Sequence, residues 1–150
     1  MSETMNMHNL ATRRIKRDTD SIIQVIDNSG ALVAECVNVL RTPSSKGLAR
    51  IGDEIVIVVK KARPIPHDAP SSATTQRVRR GDVRHAVVVR TAKEMTRKLA
   101  DGRTVRFDDN ACVLLNNRKE PLGTRINGVV GAELRTKGWS KILALATKVV

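Results

Sequence analysis

Apolar positions along the chain fall mostly into short runs of strand length, separated by turn-forming residues, as expected of a small β-protein. "SIIQVID" (21–27) reads as a strand that ends at Asn28-Ser29-Gly30, residues suited to a tight turn. "ALVAECVNVL" (31–40) follows as a second strand, so 21–40 is expected to form a hairpin. In "IGDEIVIVVKKA" (51–62), Ile55, Ile57 and Val59 alternate with Val56 and Val58, apolar on both faces. Such a strand is covered on both sides or belongs to a barrel wall. "RPIPHDAPSSATTQ" (63–76) holds three of the five prolines and is a loop or ribbon tip, because proline donates no ladder hydrogen bond. "GDVRHAVVVRTA" (81–92) is the next strand and faintly echoes 52–62, with Gly-Asp, a valine-rich run, a base and alanine. Residues 93–107 suggest a turn at Asp101-Gly102, and "ACVLL" (111–115) completes five or six strands. Beyond Gly131 the pattern changes: Leu134, then Ile142, Leu143 and Ala146 at helical spacing predict two short helices, split at Gly138, that close the barrel. The fold class is mainly β, a small barrel or sandwich with a helical C-terminal part.

Composition narrows this to one domain, residues 21–150, behind an N-terminal extension, residues 1–20. Apolar residues make up 41% of the 150, enough for one core, and they are aliphatic: Phe107 and Trp139 are the only aromatics. No apolar run approaches the ~20 residues of a membrane-spanning helix. Cys36 and Cys112 lack a CxxC partner and sit in apolar runs, as small buried hydrophobes do.

Charge changes the picture most. The formal net charge is +12, which predicts a polyanionic partner, nucleic acid or an anionic membrane surface. Residues 18–59 carry six acids and three bases, whereas 60–106 carry thirteen bases and four acids. The excess is therefore a patch. Its members are Lys60, Lys61, Arg63, Arg77, Arg79, Arg80, Arg84, Arg90, Lys93, Arg97, Lys98, Arg103 and Arg106, with Arg118 and Lys119 further on. On strands, alternate side chains can face a core while bases on the other face meet phosphates. With almost no aromatics, stacking on splayed bases cannot be the main mode. Shape and backbone recognition of a folded RNA remains, with arginine forks bridging phosphates. A solvated charge run is the plain alternative.

No catalytic constellation is specified. His8, His67 and His85 have no metal-ligand spacing, and no nucleophile elbow, Walker loop or dinucleotide fingerprint occurs. The Gly-Asp pairs at 52–53 and 81–82 are ordinary turn residues before strands. No enzyme activity, cofactor or metal is expected.

"VIDNSGA", "GDEIVIVVKKA", "RRGDVRHAVVVRT", "DGRTVRFDDNACVLLNN" and "EPLGTRINGVVGAELR", in that order, resemble the universal large-subunit ribosomal protein fourteen family from about Ile22 to Val150. The resemblance implies a five-stranded β-barrel with a projecting β-ribbon and a small C-terminal helical part. It also implies binding to large-subunit ribosomal RNA, contact with a neighbouring ribosomal protein, and bridges to small-subunit RNA on the intersubunit face. "PLGTRI" places Thr124 and Arg125 on the exposed face that in the family also receives anti-association (silencing) factors, so Asn116 to Arg125 is expected to be a docking turn. Asn116, Asn117, Arg135 and Lys141 are expected on the same face.

Two departures stand out. Between Lys61 and Arg79 the chain holds roughly ten residues more than the compact bacterial pattern, and the Val89–Asp101 spacer is longer by one or two. Both resemble mitochondrial versions of the family, and so does the basic N-terminal extension with Arg13, Arg14, Lys16 and Arg17. That extension reads either as a transit segment or as a disordered basic tail, with Glu3, Asp18 and Asp20 against the first. Residence in a mitochondrion is expected, with a bacterial cytoplasm as the alternative. The leading function is a structural ribosomal RNA-binding protein; the alternative is a non-ribosomal regulator or chaperone that binds structured RNA with the same barrel.

Overall fold

A computed structural model describes residues 15–16, 22–40, 48–64, 78–92, 95–96 and 102–150. The strands are β1 (Ile15–Lys16), β2 (Ile22–Val25), β3 (Ala31–Val39), β4 (Leu48–Ala49), β5 (Glu54–Ala62), β6 (Val83–Arg90), β7 (Met95–Thr96), β8 (Thr104–Val105), β9 (Ala111–Leu115), β10 (Ile126–Val130) and β11 (Ala146–Val149). Two short helices, α1 (Glu133–Thr136) and α2 (Ser140–Leu145), lie between the last two strands.

Five strands close into a barrel in the order β2-β3-β5-β6-β9. The predicted hairpin 21–40 is its first corner, with Ile22 opposite Glu35 and Gln24 opposite Val33. Closure comes from β2 pairing in parallel with β9, Gln24 opposite Ala111 and Val25 opposite Cys112. Alternation decides what fills the interior: Ile23, Ile55, Ile57, Val59, Ala86, Val88 and Leu114 point inward and are buried. Cys36 and Cys112 are free thiols in the same core. Burial pushes the Cys36 thiol up to about 11 and raises that of Cys112 well above its ordinary value.

The echo between 52–62 and 81–92 is a repeated structure. Arg50-Ile51-Gly52-Asp53 and Arg79-Arg80-Gly81-Asp82 make the same turn. In each, the aspartate carboxylate accepts a hydrogen bond from the arginine amide three residues back, at 2.8 Å in the first and 3.0 Å in the second. The glycines have φ of 90° and 89°. The Gly52 amide donates to Val88 O at 2.8 Å and the Gly81 amide to Val59 O at 2.8 Å. Since Val56 lies opposite His85, with Ile55–Ala86 and Ile57–Arg84 on either side, the two turn-plus-strand units are related by a local two-fold axis through that pair.

The C-terminal part departs from the sequence pattern in two ways. The helices do not close the barrel; β2 and β9 do that, and the C-terminal segment covers the outer faces of β6 and β9 instead. There Val87, Val89, Val113 and Leu115 meet Ile126, Val130, Leu134 and Ile142 in a second buried cluster. Ala146, spaced as if helical, is extended (ψ 140°) and begins β11, parallel to β10 with Ile126 opposite Ala146 and Val130 opposite Val149. The β-branched residues Thr147, Val149 and Val150 favour this, and β10 offers an edge to pair with. The first Gly-Asp turn anchors the whole segment: Trp139 Nε1 donates to Gly52 O at 2.8 Å, and Lys137 Nζ lies 3.6 Å from Asp53.

β7 and β8 form a short antiparallel ladder, Met95 opposite Val105 and Thr96 opposite Thr104, flanking the predicted Asp101-Gly102 turn. The tip at 97–101, the proline-rich loop from 65 to 77 and the N-terminal extension, apart from β1, lie outside the described residues.

Candidate nucleic-acid interface

Strand direction sorts the basic residues. The end of β5, the start of β6 and the ends of β2 and β9 share one rim of the barrel, because β5–β6 and β6–β9 are antiparallel and β2–β9 parallel. On this rim stand Lys60, Lys61 and Arg63 at the end of β5, and Arg79 and Arg80 in the second Gly-Asp turn, all exposed. The strand and the turn are held together by paired hydrogen bonds between Val59 and residues 81–82, 2.8 and 2.9 Å. Arg63 N donates to Gly30 O at 2.7 Å, which ties the β5 terminus to the β2–β3 turn.

Among the described residues, Lys61, Arg63, Arg79 and Arg80 form no ion pair. Lys60 pairs with Glu35 at 2.9 Å, and half-buried Arg84 lies 3.8 Å from Asp82. These contacts are partly exposed to solvent and individually weak.

Arg90, Arg103 and Arg106 are elsewhere. Arg103 and Arg106 flank β8, near the far end of β6, roughly 23 Å from its start at the usual strand rise. The described bases between Arg79 and Arg106 thus do not share one rim. Arg90 has only 18% of its side chain exposed and is clasped by Asp109 at 3.3 Å. Its guanidinium also lies against the Gly128 backbone, where an added Cβ would come within 3.3 Å of Nη1. Arg77, Lys93, Arg97 and Lys98 lie outside the described residues.

Residues 116–125 form a tight turn on the first rim, built by side chains. Asn116 Oδ1 accepts from the Arg118 amide at 2.9 Å and the Glu120 amide at 3.0 Å. Lys119 adopts φ 61° and reaches Glu54 at 3.4 Å, while His85 Nδ1 lies 3.0 Å from the same carboxylate. Burial pushes the Glu54 carboxyl up, but hydrogen bonds and charge from His85 and Lys119 outweigh it and hold the group below the usual glutamate range. Lys141 on α2 bridges to Glu120. Asn117, Arg118, Thr124, Arg125 and Arg135 are exposed.

Three organising residues carry no signal as site residues in the sequence. Asn28 Oδ1 accepts from the Thr124 amide at 2.7 Å and the Arg125 amide at 3.1 Å, and its Nδ2 donates to Thr124 Oγ1 at 2.9 Å. Asp27, buried, accepts from Ser29 and from the Leu114 amide at 3.0 Å, fixing the turn to β9. Glu54 is the third. Contacts this distant along the chain leave only "Asx before a turn" to read.

Among the described residues no His/Cys/Asp/Glu group could hold a metal ion, and no helix is long and apolar enough to cross a membrane. The family model for ribosomal protein L14p/L23e matches residues 16–150. The chain belongs to that family. Its relatives include the large ribosomal subunit protein uL14m of Neurospora crassa, 55% identical over 128 residues, covering 84% of this chain and 93% of that protein. The protein of the same name from Schizosaccharomyces pombe is 52% identical over 129 residues, 86% of this chain and 95% of its own length. Membership fixes the coarse function: a structural component of the large ribosomal subunit, not an enzyme.

Proposed function

We propose that this protein binds large-subunit ribosomal RNA through the rim formed by Lys61, Arg63, Arg79 and Arg80, and that it works in the mitochondrial ribosome. The observation that carries the reading is that these four exposed cations share one rim and have no ion pair among the described residues. A cation already neutralised by its own protein gains little from a phosphate, whereas a free one releases condensed counterions on binding. Arg103 and Arg106, on the opposite rim, would form a second basic patch rather than part of this one. The mitochondrial part rests on the two relatives named uL14m, on the long 63–78 segment and on the basic extension, which we read as an import segment.

The 116–125 turn, with Thr124 and Arg125 presented by Asn28, is proposed as the intersubunit and partner face, open to small-subunit RNA or a silencing factor. Arg135 and Lys141 extend it.

The native protein should co-sediment with large subunits at moderate salt. Reversing Arg79, Arg80 and Arg97 together should reduce the slope of RNA affinity against salt by about one unit per lost phosphate contact. An unchanged slope would make these arginines merely solvated, and a free sedimenting species bound to transcripts would favour a regulator instead. Replacing Thr124 or Arg125 should spare assembly and weaken partner docking. The mature N-terminus, read by mass spectrometry, checks the import reading.

A further inference from the structure

The second Gly-Asp turn is held on every side. Val78, just before it, is fully buried in the barrel core. The Gly81 amide donates to Val59 O at 2.8 Å, and Asp82 O accepts from the Val59 amide at 2.9 Å. Within the turn, the Asp82 amide donates to Arg79 O at 3.2 Å, and Gly81 supplies the positive φ of 89° at the third position. A last bond comes from a side chain: Asp82 Oδ2 accepts from the Arg79 amide at 3.0 Å. Arg79 and Arg80, both exposed, are the first two residues of this closed turn.

Electrostatically, that carboxylate is out of place. On a rim with Lys61, Arg63, Arg79 and Arg80 it repels the phosphates those cations attract. Its ion pair among the described residues, Arg84 at 3.8 Å, is partly exposed and weak. The first Gly-Asp turn separates the two roles of such a group. Asp53 accepts from the Arg50 amide at 2.8 Å in the same way, but there Lys137 also meets the charge at 3.6 Å. Acceptance from the arginine amide is common to both copies; compensation by a lysine is not. We propose that Asp82 is a positioning residue for RNA binding, its carboxylate oxygen holding closed the turn from which Arg79 and Arg80 project. This rests on the rim reading above, and adds that an acid on the rim strengthens binding as an acceptor while its charge opposes it. A turn closed before RNA arrives loses less conformational freedom on binding, and water and salt screen the repulsion at so exposed a site.

Variants of equal charge test this in the full chain, with deproteinised large-subunit ribosomal RNA as the probe. Asp82→Asn keeps an acceptor for the Arg79 amide, whereas Asp82→Ala and Asp82→Leu remove it, the leucine at nearly the shape of asparagine. All three delete the negative charge and release Arg84, so Coulombic effects cancel among them. Asp82→Asn should bind at least as tightly as the parent. Asp82→Ala and Asp82→Leu should bind roughly fivefold more weakly than Asp82→Asn, with faster amide exchange at Arg79. Urea titration identifies which variants are fully folded under the binding conditions, and one folded variant without the acceptor suffices. Repeating the comparison in an Arg79→Gln/Arg80→Gln background closes a double-mutant cycle, and there the variants should bind alike. Equal affinity with and without the acceptor in the parent background would overturn the proposal. So would a difference that persists without Arg79 and Arg80, since general loosening of the barrel gives that result. If Arg79→Gln/Arg80→Gln by itself binds as tightly as the parent, the rim reading falls and this proposal with it.

Discussion

At the scale of single residues, two carboxylates show how position sets the sign of a pH effect. Burial raises the Asp27 carboxyl above its ordinary value, although Ser29 and the Leu114 amide donate to it. Its contribution to stability is therefore complete in acid and declines as pH rises through the raised value. Glu54 behaves in the opposite sense: held low by His85 and Lys119, it stabilises the fold above the usual glutamate range and loses that contribution as pH falls through its lower folded value. Glu54→Gln should therefore cost about 1 kcal/mol at neutral pH. The difference from the parent should vanish once both are measured in acid below the folded value, as urea titrations at stepped pH would read. Asn28 supplies a third case. Asn28→Ala removes three side-chain hydrogen bonds to residues 124–125, each worth about 1 kcal/mol at most because the site is exposed. The fold should survive, while amide exchange at Thr124 and Arg125 accelerates. Unchanged protection there would mean the turn holds itself.

At the scale of elements, the twin turns allow a comparison that one turn could not. Gly52 and Gly81 share a positive φ, so alanine pays a similar conformational cost of about 1 kcal/mol at both. Space differs. A Cβ on Gly52 would lie 2.6 Å from Lys137 Cγ, while one on Gly81 meets nothing within 4 Å. Gly52→Ala should therefore be the more destabilising by about 1 kcal/mol or more. It should also shift the emission of Trp139, the only tryptophan in a chain without tyrosine, as the C-terminal segment loosens. Equal stabilities and equal spectra would sink this account of the anchor. The same elements mark how far the sequence could be read. Valine-rich alternation sufficed for β5, β6 and β9, because a period of two with Gly-Asp or Asn-Ser-Gly punctuation is a local signal. β10 and β11 escaped notice: "INGVV" has Gly128 in mid-strand, and Ala146 keeps a helical spacing with Ile142. Parallel pairs such as β2–β9 and β10–β11 join segments far apart in sequence, which no local period encodes. For the interface, the sequence located the basic residues but not their partners: Arg90, Lys119 and Lys141 are engaged by Asp109, Glu54 and Glu120.

At the scale of the whole molecule, that distinction between engaged and free cations yields opposite responses to salt. A net charge of +12 on 150 residues makes the compact state repel itself, and the repulsion acts over a Debye length of about 10 Å at 0.1 M salt. The exposed pairs Lys60–Glu35 and Lys141–Glu120 work against it, but such pairs contribute only about 0–1 kcal/mol each and are themselves screened. Repulsion arising from the net positive charge therefore dominates. Raising salt from about 50 to about 300 mM should stabilise the free protein to denaturant while it weakens RNA binding by counterion competition. Removing an engaged cation separates the two effects further. Lys119→Ala should lower stability by leaving Glu54 without one of its partners, yet leave the salt slope of RNA binding unchanged, because that ammonium is already neutralised by its own fold. If Lys119→Ala flattened the slope as reversal of Arg79 and Arg80 should, the ammonium would be exchanging its carboxylate for a phosphate in the complex, and the division into engaged and free cations would fail.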